Sequence, residues 1–116
     1  MNLLLRILVT AFIVVALANL LPGVAVESYF TGIVIAIVLG LMNILVKPIL
    51  ILFTLPVTVV TFGLFLLVIN ALIILMVTGL VGGFYVDGFW WALLFSLLLS
   101  FCQSILFKAF ENSKSN

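Results

Sequence analysis

Apolar residues run almost unbroken through four stretches, at about 3–22, 29–46, 58–82 and 89–107. Each holds 18 to 25 residues, and about 20 apolar residues in helical form cross the hydrocarbon core of a bilayer. Consecutive Leu, Ile and Val fill the runs, without the two-residue alternation that a lipid-out, lumen-in barrel strand requires. The pattern therefore predicts an all-α membrane protein with four transmembrane helices. Short loops join the first span to the second (Pro22 to Ser28) and the third to the fourth (Gly83 to Phe89). The chain 109–116 after the last run is polar and too short to fold alone.

A slide of the sequence on itself by 60 positions aligns the two halves. Val26-Glu27-Ser28-Tyr29-Phe30 falls on Val86-Asp87-Gly88-Phe89-Trp90, Asn43 falls on Gln103, and Thr10-Ala11 falls on Asn70-Ala71. This predicts a single domain over 1–116 built from two repeated helical hairpins, about 3–47 and 63–107, with 48–62 as connector. Both hairpins start on the same side, as in parallel repeats about an axis along the membrane normal. Chance matching of similar apolar helices is the bland alternative.

Small residues recur every four positions in the second and fourth spans: Gly32, Ala36 and Gly40, then Ala92, Ser96 and Ser100. Such stripes let helix backbones approach closely where lipid supplies no hydrophobic drive for contact. They predict packing faces, with spans two and four at the centre of the bundle; a pore lining is the other reading. Tyr29, Trp90 and Trp91 follow the acidic loop residues Glu27 and Asp87, as interfacial aromatics do.

Between the second and third spans lies a piece bracketed by prolines, Lys47-Pro48 to Leu55-Pro56. Proline disfavours helix in the residue before it, so the second span is expected to end near Lys47. The lysine snorkels to the headgroups. The eight apolar residues from Ile49 to Pro56 would reach only about 12 Å as helix, so they lie at the interface or re-enter shielded by protein. Pro56 is expected to start the third span, and Thr58 and Thr61 to satisfy backbone groups freed by the bend.

Charge then orients the chain. Hydrophobic residues make up 68% and charged ones 6%, a balance that a soluble domain of this size cannot bury. Four crossings place Arg6, Lys47, Lys108 and Lys114 on one side and Glu27 and Asp87 on the other. Cations favour the cytoplasmic side, which gives a multi-pass membrane protein with both termini inside. Arg6 with Ala16-Leu17-Ala18 also has the layout of a signal peptide, but cleavage would break the repeat. A net charge of +1 argues against nucleic acid. Cys102, alone in an apolar run, reads as a packing residue.

Inside the spans, Asn43, Asn70 and Gln103 need partners, and helix-to-helix hydrogen bonds there average about 0.6 kcal/mol. They read as structural glue or as parts of a polar path. No carboxylate or histidine lies mid-span, which argues against a proton relay or ion-coupled pump. No nucleophile–base pair or metal-ligating cluster is present either, so neither an enzyme nor a cofactor is expected.

Taken together, Asn43-x-x-x-Lys47-Pro48, Thr54-Leu55-Pro56, Thr61-x-Gly63-Leu64-Phe65 and Asn70-Ala71 resemble phage holin superfamily IV, the YvlD-like small membrane proteins. Gly83-Phe84 and Val86 also fit. The resemblance implies a four-helix bacterial inner-membrane protein, holin-like in the family sense and of undefined biochemical activity, with a homo-oligomer that permeabilises the membrane as the first reading. The alternative is a non-catalytic envelope-stress or scaffold protein acting through membrane-protein partners or lipids.

Overall fold

A computed structural model describes residues 2–115, with side chains described through Glu111. The elements are α1 (Leu3–Leu20), β1 (Val24–Val26), α2 (Tyr29–Leu45), α3 (Lys47–Phe53), α4 (Leu55–Val60), α5 (Phe65–Leu80), β2 (Phe84–Val86) and α6 (Phe89–Ser115). Three helical stretches are long and apolar enough to cross a membrane: Leu3–Leu20, Tyr29–Phe53 and Phe89–Glu111. Phe65–Leu80 is a shorter apolar helix.

Helix α1 packs on α2, and α5 on α6; the two hairpins then join through α1 with α6 and α2 with α5. The helices thus stand at the corners of a square, with α2 and α6 on a diagonal. This corrects the expectation that spans two and four form the bundle centre. The centre is filled instead by one side of every long helix, including Val14, Ile35, Ile74 and Phe95, all essentially inaccessible. Equivalent positions 60 apart are buried in both halves: Val9 and Ile69, Ala11 and Ala71, Val14 and Ile74, Ile35 and Phe95, Leu39 and Leu99.

The loops that join the helices of each hairpin pair with each other. Strands β1 and β2 run antiparallel with Ala25 opposite Tyr85, Val24 opposite Val86 and Val26 opposite Phe84. Beyond the strands, the Glu27 N–H donates to the Gly83 carbonyl (3.0 Å) and the Asp87 N–H to the Gly23 carbonyl (2.7 Å). These two bonds exchange under the 60-residue shift, and the central pair is itself 60 apart. Phe84 packs against Phe95 just beneath, ring centroids 5.8 Å apart, so this strand end of the bundle is sealed. Gly23 lies so close to the Trp91 indole that a Cβ would collide with it, and Gly83 (φ +89) leaves room for the Glu27 carboxylate.

At the opposite end, which holds the start of α1 and the end of α6, two expectations change. The second span ends near Lys47 as expected, and helix resumes after a single residue. Helix α2 ends at Leu45, and after a turn at Val46 (φ −93, ψ −42) α3 begins with Pro48 in its first turn. There the missing N–H costs nothing. The third span starts later than 58, because Phe62 (φ 56) and Gly63 (φ +85) are left-handed and interrupt the helix. Pro56 therefore opens only the short α4. Thr61 repairs the break: its hydroxyl accepts from the Phe65 N–H (3.2 Å) and donates to the Val57 carbonyl (2.9 Å). Thr58 contributes its carbonyl, which accepts from the Gly63 N–H (2.8 Å), while its hydroxyl is buried without a partner. Finally, α6 continues through the polar tail to Ser115, since no Gly or Pro interrupts it. The side chain of Lys114, grouped above with the cations, lies outside the described residues.

Candidate functional site

Asn43, Asn70 and Gln103 gather at the terminal end, in a cleft with two lobes on either side of Asn43 and Gln103. One lobe, of about 280 Å³, lies among α1, α2 and α6, with Arg6, Thr10, Gly40 and Phe107 on its walls. The other, of about 40 Å³, lies among α2, α5 and α6, with Lys47, Asn70, Ser96 and Ser100. The lobes correspond under the 60-residue shift: Thr10 matches Asn70, Gly40 matches Ser100, and Phe107 matches Lys47. No acid lines either lobe.

Their chemistry differs. In the first lobe, the Gln103 amide donates to the Thr10 hydroxyl (3.0 Å), and the Arg6 guanidinium sits 5.0 Å over the Phe107 ring, a cation–π contact. In the second, the matched pair Asn43 and Asn70 makes no hydrogen bond among the described residues, and Lys47 is half-buried beside it. Asn70 is itself half-buried and lines the lobe, and its amide has no protein partner among the described residues. An apolar groove of about 400 Å³ begins at the same Asn43 and Lys47 and continues along Pro48, Ile51, Leu52 and Leu55.

The small-residue stripes divide between packing and the cleft. Gly32, Ala36, Ala92 and Ser96 are buried, and a side chain at Gly32 would press on Val15 and the Ala11 carbonyl of α1. The partner across the stripe at Gly32 is thus α1, within its own hairpin. Gly40 and Ser100 are exposed, and nothing lies within 4 Å of a Cβ at Gly40. This corrects the reading of those two as packing positions: the helices diverge there to form the cleft.

At the strand end, Glu27 and Asp87 are exposed, Trp90 is exposed, and Trp91 is half-buried over Gly23. Tyr29 does more than mark an interface: its hydroxyl donates to the Leu8 carbonyl of α1 (3.2 Å). Cys102 is half-buried and free. Among the described residues, no three His, Cys, Asp or Glu side chains are placed to hold a metal ion.

The sequence reading missed the strand pairing, the Thr10–Gln103 bond and the Arg6–Phe107 contact. The strands did leave a signal, in β-branched and aromatic triplets set between glycines and acids. The two side-chain contacts bridge α1 and α6, nearly the full chain apart, and no local pattern marks them.

A family model described as mycobacterial phage holin of four transmembrane segments, superfamily IV, matches residues 1–105. An uncharacterised membrane protein of Bacillus subtilis, YvlD, is 41% identical over 95 residues, covering 81% of this chain and 80% of that protein. An uncharacterised protein of Streptomyces coelicolor is 43% identical over 86 residues, covering 71% and 69%. No solved structure matches the chain.

Proposed function

The chain belongs to the four-span phage holin superfamily IV, and from that premise we propose a non-enzymatic, holin-like protein of the bacterial cytoplasmic membrane, with both termini inside, that permeabilises the membrane only as a homo-oligomer. The observation that carries this is the one-ended cleft. Polar side chains open it at the terminal end, while Phe84, Phe95 and the paired strands close the other. A conducting pore needs a polar lining from side to side, so one copy alone conducts nothing and a hole forms between copies.

Topology follows from charge: Arg6, Lys47 and Lys108 share the terminal end, and Glu27 and Asp87 the strand end. The connector supports placement in the cytoplasmic interface. Its helices α3 and α4 hold no buried residue and expose Leu52, Phe53 and Val60, with Phe62 just beyond them, an apolar surface that lipid covers. The halves 3–47 and 63–107 are two versions of one hairpin, supported by the paired burial and the exchanged strand hydrogen bonds.

Graded expression in a bacterial host, with membrane potential followed by dye fluorescence, tests this reading. Abrupt collapse of the potential above a threshold abundance is the expected result. An intact potential at high, correctly inserted abundance would reject permeabilisation. It would favour the second reading, a scaffold working through lipids or partner proteins, for which the closed strand end already speaks.

A further inference from the structure

We propose that the small lobe and its adjoining groove bind a phosphate-bearing amphiphile, an inner-leaflet phospholipid whose headgroup phosphate enters between Asn43, Asn70 and Lys47. Three independent features lead to this ligand. The donors come first: the Lys47 ammonium, two amide NH₂ groups and the Ser100 hydroxyl border one space, with no acid on its wall. A phosphate presents acceptor oxygens in several directions and takes charge-assisted bonds from such a set. The space of about 40 Å³ has room for roughly three water-sized groups, which suits the phosphate oxygens themselves, with the rest of a headgroup outside the lobe.

The second feature is the unused amide. The Asn70 amide lines the lobe half-buried, with no protein partner among the described residues, so its donors are free for an incoming acceptor. The matched lobe shows what satisfaction looks like, since there Gln103 reaches Thr10 and Arg6 is committed to the Phe107 face. Third, the groove along Pro48, Ile51, Leu52 and Leu55 starts at Asn43 and Lys47 and is apolar throughout its length beyond them. Its volume of about 400 Å³ lies within the usual range of ligand pockets, roughly 300–1,000 Å³. A polar end joined to an apolar trough selects an amphiphile over a free ion.

The proposal stands whether or not copies assemble into a hole, so lipid retention and membrane potential test separate claims. Native mass spectrometry of the purified full chain, supplied with phosphatidylglycerol or with diacylglycerol of the same acyl chains, reads it directly. Phosphatidylglycerol should stay bound at one per chain while diacylglycerol leaves. Asn70→Leu and Lys47→Gln should each lower that retention about tenfold or more, the worth of a hydrogen bond to a charged group. Thermal unfolding of Asn70→Leu should match the parent, since no protein bond is removed. Equal retention of both lipids, or full retention in a folded Asn70→Leu, would overturn the site. Displacement of the lipid by millimolar inorganic phosphate would overturn the amphiphile and leave a free-phosphate site; resistance to it supports the lipid.

Discussion

One methylene separates Gln103 from Asn43, and with it the two lobes part company. The longer amide crosses from α6 to the Thr10 hydroxyl at 3.0 Å; the shorter one, at the matched place on α2, stays unlinked to Asn70. Hydrogen bonds between helices in lipid average about 0.6 kcal/mol and reach about 1.7. Thr10→Val should therefore destabilise the bundle by about 0.6–1.7 kcal/mol, read from unfolding in mixed micelles of increasing denaturing detergent. A Thr10→Val protein as stable as the parent would mean that the bond contributes nothing. At this scale the sequence singles out Asn43, Asn70, Gln103 and Lys47, and the fold brings them to one cleft. The sequence does not assign their partners, because reach depends on how far apart the helix axes stand.

Helices are legible where composition alone decides them, and less so where backbone geometry intervenes. Long apolar runs mark α1, α2 and α6, but α5 begins at Phe65 because Phe62 and Gly63 turn left-handed. A non-glycine residue there costs roughly 1–2 kcal/mol, a choice that hydropathy does not register. The small-residue stripes mislead for a related reason. Their four-residue spacing identifies one face of a helix, but not how far a neighbour follows that face before diverging. Gly32 meets Ala11 and Val15, whereas Gly40 opens onto the cleft. Gly32→Leu should thus destabilise the fold by about 1–3 kcal/mol through overpacking, while Gly40→Leu should change it by less than about 0.5 kcal/mol. Melting temperatures of the two variants in one detergent give the comparison, and equal losses would restore a continuous packing stripe.

Across the whole molecule, the hairpins are joined by backbone at one end and by an amide-to-hydroxyl bond at the other. Residues directly opposite on antiparallel strands lie about 4.5–5.5 Å apart at Cα, within disulfide range. With Cys102 replaced by Ala, the pair Ala25→Cys and Tyr85→Cys should oxidise to an intramolecular bridge. The product would run as a compact monomer on a non-reducing gel. Only intermolecular bridges, or none, would disprove the strand pairing in the membrane.

The paired strands stand where a pivot would, at the end of each hairpin far from Arg6 and Lys47. Helix α1 is 18 residues long, a lever arm of about 27 Å, so tilting one hairpin by about 10° moves its far end by nearly 5 Å. The same tilt hardly displaces Ala25 from Tyr85. Motion that is imperceptible at the fulcrum thus becomes, at the tips that carry Arg6 and Lys47, a change as wide as a polar side chain.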